Sequence, residues 1–174
     1  MVDVYIGIGS NINPLKNVKE VMTLLRNHFP SIKFSRIFES EAIGFEGDNF
    51  LNLVACFDSN EIRTKADVFA GSPKASQLSN LIEQLKNIEN QMGRTRGSKK
   101  FSDRRIDIDV LLFGDFQQVS PIELPRDEIL ENAYVLWPLS ELAPELEHPG
   151  TTKNYRELWH SFDKATQILK PLEF

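Results

Sequence analysis

Residues 104–114 read RRIDIDVLLFG. The β-branched and aliphatic side chains of this run predict a core strand, yet two carboxylates, Asp107 and Asp109, stand inside it. Along a strand, residues i and i+2 share a face, with Cα atoms roughly 6.5 to 7 Å apart. Alternation therefore puts Ile106, Ile108, Val110 and Leu112 on one face and both aspartates on the other. Two half-buried carboxylates that close repel each other unless positive charge lies between them. One source of that charge is arginine, as a salt-bridged network through Arg104, Arg105 or another arginine. The other is a hard divalent ion. Magnesium takes one or two carboxylates and completes its shell with water and phosphate oxygens, so a D-x-D pair supplies ligands without saturating it.

The segment just before the strand, RTRGSKKFSDRR at 94–105, carries Arg94, Arg96, Lys99, Lys100, Arg104 and Arg105 against a single acid, Asp103. Read alone, it is a solvated cationic loop. Beside a D-x-D strand it points to a triphosphate, whose charge arginine and magnesium would neutralise while a phosphoryl or pyrophosphoryl group moves. The chain as a whole has a formal net charge of −5, which argues against bulk nucleic-acid binding. It contains no G-x-x-x-x-G-K-[ST], so it is not a P-loop enzyme. GIGSN at 7–11 reads as a tight glycine turn feeding a helix rather than as a dinucleotide fingerprint.

Working outward, Val2 to Ile8 alternates as a strand that ends at GSN. The stretch NPLKNVKEVMTLLRNHF follows, with Asn13 as N-cap, Pro14 at the first helical position, and Leu15, Val18, Val21, Met22 and Leu25 at helical spacing. SIKFSRIFES and NFLNLVACF read as two strands around the loop EAIGFEGD. Residues 58–77 lack a pattern and read as an inserted loop. A second amphipathic helix is predicted from about Leu78 to Met92, stopped by Gly93. The Pro-rich remainder reads as short strands and helices, with 161–174 as a C-terminal tail. The order β-α-β-β-α-β matches the ferredoxin-like pattern of an antiparallel sheet with helices packed on one face.

At 174 residues with 41% apolar content, the expectation is one domain spanning 1–174 with a single sizeable core. No stretch approaches a membrane span and the N-terminus shows no signal peptide, so a cytoplasmic protein without membrane partners is expected. The one cysteine, Cys56, lies in an apolar run and reads as a buried hydrophobe. The histidines at 28, 148 and 160 show no metal-ligand spacing.

Five pieces, YIGIGSN, GDNFLNLV, IENQMGRTR, RRIDIDVLLFG and YVLWPLSELAPEL, occur in the order characteristic of one family. In them the chain resembles 6-hydroxymethyl-7,8-dihydropterin pyrophosphokinase of folate biosynthesis. The resemblance covers nearly the whole chain apart from 58–77 and the C-terminal tail. It implies a ferredoxin-like three-layer αβα sandwich with a central antiparallel sheet. It also implies transfer of pyrophosphate from ATP to the hydroxymethyl group of a reduced pterin by a cytoplasmic monomer, releasing AMP.

The resemblance assigns Asp107 and Asp109 as ligands of two magnesium ions, and Arg94 and Arg104 as contacts to the transferring phosphates. Glu89, Arg96 and Phe101 fall at ATP-site positions. Phe50 and Tyr134 fall at pterin-stacking positions, Asn52 at a hydrogen-bonding anchor, and Ser40 and Ile43 in the pocket lining. Rings suit a flat heterocycle and an amide suits its donor and acceptor edge. The sequence departs from the family pattern at Glu41 (for proline), Lys86 (for glutamine), Arg126 (for histidine) and Asn132 (for arginine). Arg126 is expected to give ATP the contact that Asn132 no longer gives. Two other readings stay open: a phosphoryl or nucleotidyl transferase with another acceptor, and a non-catalytic paralogue that binds pterin or nucleotide.

Overall fold

The computed structural model describes residues 1–41, 47–63, 73–93 and 105–173. Its elements follow in the order β1 (Asp3–Ser10), α1 (Pro14–His28), β2 (Lys33–Phe34), β3 (Phe38–Ser40), β4 (Phe50–Asp58), α2 (Pro73–Gln91), β5 (Asp107–Phe113), α3 (Glu128–Glu131), α4 (Ala133–Leu142), α5 (Tyr155–Ser161) and β6 (Leu169–Pro171). The strands form one six-stranded sheet in the order β5-β1-β4-β3-β6, with β2 also on β4. Every pairing among them is antiparallel. The two longest strands, β1 and β4, bury apolar side chains on both of their faces.

Helices cover both faces. On one, Val4, Ile6 and Ile8 of β1 and Leu53, Ala55 and Phe57 of β4 meet Val18, Val21 and Leu25 of α1 and Leu81, Leu85 and Ile88 of α2. On the other, Tyr5 and Val54 meet Val135, Leu136 and Leu139 of α4 and Tyr155 of α5. Each fully buried aliphatic side chain in these layers contributes about 1.5 to 3 kcal/mol.

Several expectations need correction. The register between β1 and β5 shifts between Tyr5 and Ile6, which face Leu112 and Val110 respectively. Leu111 is thus an extra residue in a β-bulge, and the bulge turns Leu112 to the α4 face instead of the face of Ile108 and Val110. Gly7 and Gly9 are not in a turn: both are paired residues within β1. The helix after the inserted segment starts at Pro73 rather than near Leu78. Its first turn, PKASQ, carries no apolar stripe and so has no periodic signal, while proline suits a first-turn position.

SIKFSRIFES is broken into β2 and β3, and the tail ends in β6, which pairs with β3. Asn13 precedes α1 but has left-handed backbone (φ 43°) and makes no side-chain cap bond. The end of α2 is as expected, with Gly93 at φ 79°.

His148 gives the fold a pH dependence. It is buried, its Nδ1 accepts the Gly150 N–H at 3.0 Å, and burial lowers its pKa. The unfolded imidazole takes up a proton near pH 6.5 while the buried one resists, so the unfolded state binds more protons as pH falls. Stability is therefore full above about pH 6.5 and is lost as pH drops toward the lower, folded-state value. His28, also lowered by burial and by Arg63, acts in the same sense. Denaturant titrations of wild type and His148→Gln at several pH values should show a shallower acid-side loss in the variant. Identical slopes would contradict this assignment.

Candidate active site

The site is built on the α4 face of the sheet, where β1 presents Tyr5, Gly7 and Gly9. Gly9 lies directly between Asn52 of β4 and Asp107 of β5, and Gly7 lies between Val54 and Asp109. Directly opposed residues share a face, so Asn52 and the two aspartates line one surface across a glycine floor. Asn52 and Asp107 are two strand spacings apart, roughly 10 Å. A Cβ added to Gly9 would lie 3.2 Å from Asn52 Oδ1, so glycine keeps the amide and the floor open to a flat molecule.

Asn52 and Ser40 are both buried, and Asn52 Nδ2 donates to Ser40 Oγ at 2.8 Å. That bond fixes the amide orientation, leaving Oδ1 over Gly9. Phe50 is the residue opposite Ser40 on the same face and is half-buried. Tyr134, near the start of α4, is likewise half-buried at the margin of the layer under that helix. Neither ring is sealed in a core. Asn11, which the sequence analysis left without a role, is buried beside this end of the sheet, and its Nδ2 donates to Asp48 O at 3.4 Å. Ser10 Oγ donates to Arg105 O, tying the end of β1 to the approach of β5.

Asp109 accepts a bond from Arg126, Nη2 to Oδ1 at 2.7 Å. The Arg126 backbone N–H donates to Leu111 O at 3.1 Å, so the bulge itself hangs the arginine beside β5. The side chains are 27% and 39% exposed, which places this pair among those worth about 0 to 1 kcal/mol. The arginine neutralisation considered for the strand is therefore present, but through Arg126.

Glu89 also ties α2 to the sheet. It is 4% exposed, and its Oε1 accepts the Ile108 N–H at 2.8 Å. It thus covers the outer edge of β5 from α2, a structural tie that shields an edge strand. Ile43, Arg94, Arg96, Phe101 and Arg104 lie outside the described residues.

Cys56 supplies no nucleophile: burial pushes its thiol up to about 11, and burial raises the neighbouring Tyr5 hydroxyl as well. The surface offers hard oxygen ligands, a cation and an oriented amide. That set suits charge stabilisation and positioning rather than covalent catalysis.

Residues 5–144 match the profile of 7,8-dihydro-6-hydroxymethylpterin-pyrophosphokinase (HPPK). The chain belongs to the HPPK family. The 2-amino-4-hydroxy-6-hydroxymethyldihydropteridine pyrophosphokinase of Bacillus subtilis is 30% identical to it over 153 residues, covering 85% of this chain and 82% of that protein. The enzyme of the same name from Aquifex aeolicus is 28% identical over 174 residues, covering 98% and 96%. Among solved structures, an HPPK-DHPS in complex with substrates superposes with a TM-score of 0.64 at 14% identity, over 94% of this chain. Wild-type Plasmodium falciparum HPPK-DHPS with pteroate gives 0.62 at 15% identity, over 91%. The chain spans 44% and 42% of those two proteins, and the likeness shows a shared HPPK fold.

The HPPK match covers β1 from Tyr5 onward, with its glycines, and the whole of the aspartate strand β5. Among the described residues no helix is long and apolar enough to cross a membrane.

Proposed function

We propose that this chain transfers pyrophosphate from ATP to the hydroxymethyl group of 6-hydroxymethyl-7,8-dihydropterin, releasing AMP, in folate biosynthesis. The observation that carries this reading is the row Asn52–Gly9–Asp107, which sets an oriented amide and a carboxylate on one face across a glycine floor. An acceptor lying on that floor has its heterocycle against Asn52 and its hydroxymethyl arm toward β5. The site's position within a ferredoxin-like three-layer sandwich, acting as a single cytoplasmic domain and a monomer, completes the proposal. The sheet order supports the ferredoxin-like assignment.

The donor set fits magnesium. Asp107 and Asp109 project from one strand face, and among the described residues no cluster of three or more His, Cys, Asp or Glu side chains forms a closed metal cage. Two carboxylates with open positions for water and phosphate oxygens are what magnesium takes beside a nucleotide. Asp107 and Asp109 would hold two ions, which supply charge neutralisation on the triphosphate. Asn52 and Ser40 orient the pterin edge, and Phe50 and Tyr134 hold its faces. Arg94 and Arg104 are assigned to the transferring group, and Arg96 and Phe101 to the nucleotide.

The acceptor hydroxyl oxygen bonds to the β-phosphorus of ATP as the bond from that phosphorus to the α,β-bridging oxygen breaks. AMP departs with the bridging oxygen and the hydroxyl proton passes to water.

Incubation with Mg–ATP and the pterin, followed by chromatography of the nucleotides, should show AMP accumulating only when the pterin is present. ADP as the product would replace this reading with ordinary phosphoryl transfer. Absence of turnover would favour a different acceptor or a binding role.

A further inference from the structure

Arg126 has one bond to Asp109 and capacity for more. Its guanidinium makes a single side-chain contact with that carboxylate, through Nη2, while its Nε is buried with no hydrogen-bond partner. Its backbone is held independently by Leu111 O at the β5 bulge, so the side chain can change partner without unseating the chain. Both members of the pair retain solvent access, which keeps the exchange inexpensive compared with breaking a fully buried pair.

We infer that Arg126 is the resident counter-ion of Asp109 in the empty site, competing with the divalent cation for that carboxylate and moving to nucleotide phosphate when ATP binds. The inference rests on the assignment of Asp107 and Asp109 as the magnesium ligands. Physically, a cation entering alone must displace the guanidinium from Asp109 and leave it without an anionic partner. A cation entering with ATP brings phosphate oxygens, which accept a guanidinium fork well. The two binding events are then positively coupled, and the coupling is reciprocal. Arg126 thus makes the site favour the metal–nucleotide complex over the bare ion.

The distinguishing experiment is a pair of titrations on one variant. In Arg126→Gln, free Mn²⁺, measured by the loss of its unbound electron paramagnetic signal, should bind roughly tenfold more tightly than in wild type, because its competitor is gone. ATP affinity in saturating Mg²⁺ should fall by about ten- to a hundredfold, the cost of one charge-assisted contact. A merely structural arginine would not move these two quantities in opposite directions. Arg126→Lys keeps the charge and should keep weak Mn²⁺ binding, while Arg126→Met, which also removes the competing charge and should tighten Mn²⁺ binding to the same degree, serves as the second variant should Arg126→Gln fail to fold. Mn²⁺ affinity that is unchanged, reduced or unmeasurable in the variant that lacks the charge overturns the inference. Catalysis is read separately. A protein that makes AMP from ATP and pterin while Mn²⁺ affinity ignores Arg126 keeps its function and loses this role for the arginine. A tightened Mn²⁺ site in a protein with no turnover supports the counter-ion role and counts against the proposed reaction.

Discussion

Asp109→Ala should lower turnover by about three orders of magnitude or more while leaving the protein folded. A metal ion acting on a phosphoryl group supplies several kcal/mol of transition-state stabilisation, and each 1.36 kcal/mol is about tenfold in rate. Asp109 offers one of the two co-facial carboxylates of β5, so its loss removes half of the proposed magnesium ligand set. Its ion pair with Arg126 is partly exposed and contributes only about 0 to 1 kcal/mol. Removing one of two repelling carboxylates offsets part of that. The thermal midpoint should therefore stay within a few degrees of wild type, about the shift 1 kcal/mol produces in a domain of this size. Rapid-quench turnover and thermal denaturation on the same preparation separate the outcomes. An active variant sinks the metal-ligand assignment, and a folded-state collapse would make the Arg126–Asp109 pair structural instead.

Phe57→Ala should do the reverse, costing about 3 to 5 kcal/mol of stability without altering the site. Phe57 is 2% exposed and stacks on Phe29, with ring centroids 4.0 Å apart and planes 17° from parallel. It joins β4 to the end of α1 on the face opposite the aspartates. Against a total of about 5 to 15 kcal/mol for a typical domain, that loss moves the denaturation midpoint far to lower urea. The KM values of the fraction that remains folded should be unchanged. A loss below about 1 kcal/mol would mean that the layer relaxes around the cavity, against the close packing expected of a core.

Much of this architecture was legible because period and punctuation agree along the chain. Alternation marked β1, and helical spacing with Pro14 and Gly93 marked the start of α1 and the stop of α2. The co-facial placement of the two aspartates was legible because i and i+2 share a strand face where no bulge intervenes, and the bulge of β5 lies beyond Asp109. The bulge at Leu111 was not legible, since a single extra residue leaves the composition of β5 unchanged and shows only in its pairing with β1.

The glycines were misread for a related reason. Gly7 and Gly9 carry turn propensity, but alternate glycines inside a strand clear one face, a signal visible only once β4 and β5 are placed on either side. The bond from the Ile108 N–H to the Glu89 carboxylate could not be read either, because it joins α2 to β5 across 19 positions. Arg126 stood out as a departure, yet its partner could not be read from sequence, because Asp109 lies 17 positions earlier in the chain.

The most direct test of the account is the fate of label from ATP carrying ³²P at the β position. Wild-type protein with Mg²⁺ and 6-hydroxymethyl-7,8-dihydropterin should move that label onto the pterin, leaving unlabelled AMP, since both terminal phosphates travel together. Label retained on ADP, with only a γ-phosphate reaching the acceptor, would contradict pyrophosphate transfer at the Asp107 and Asp109 strand.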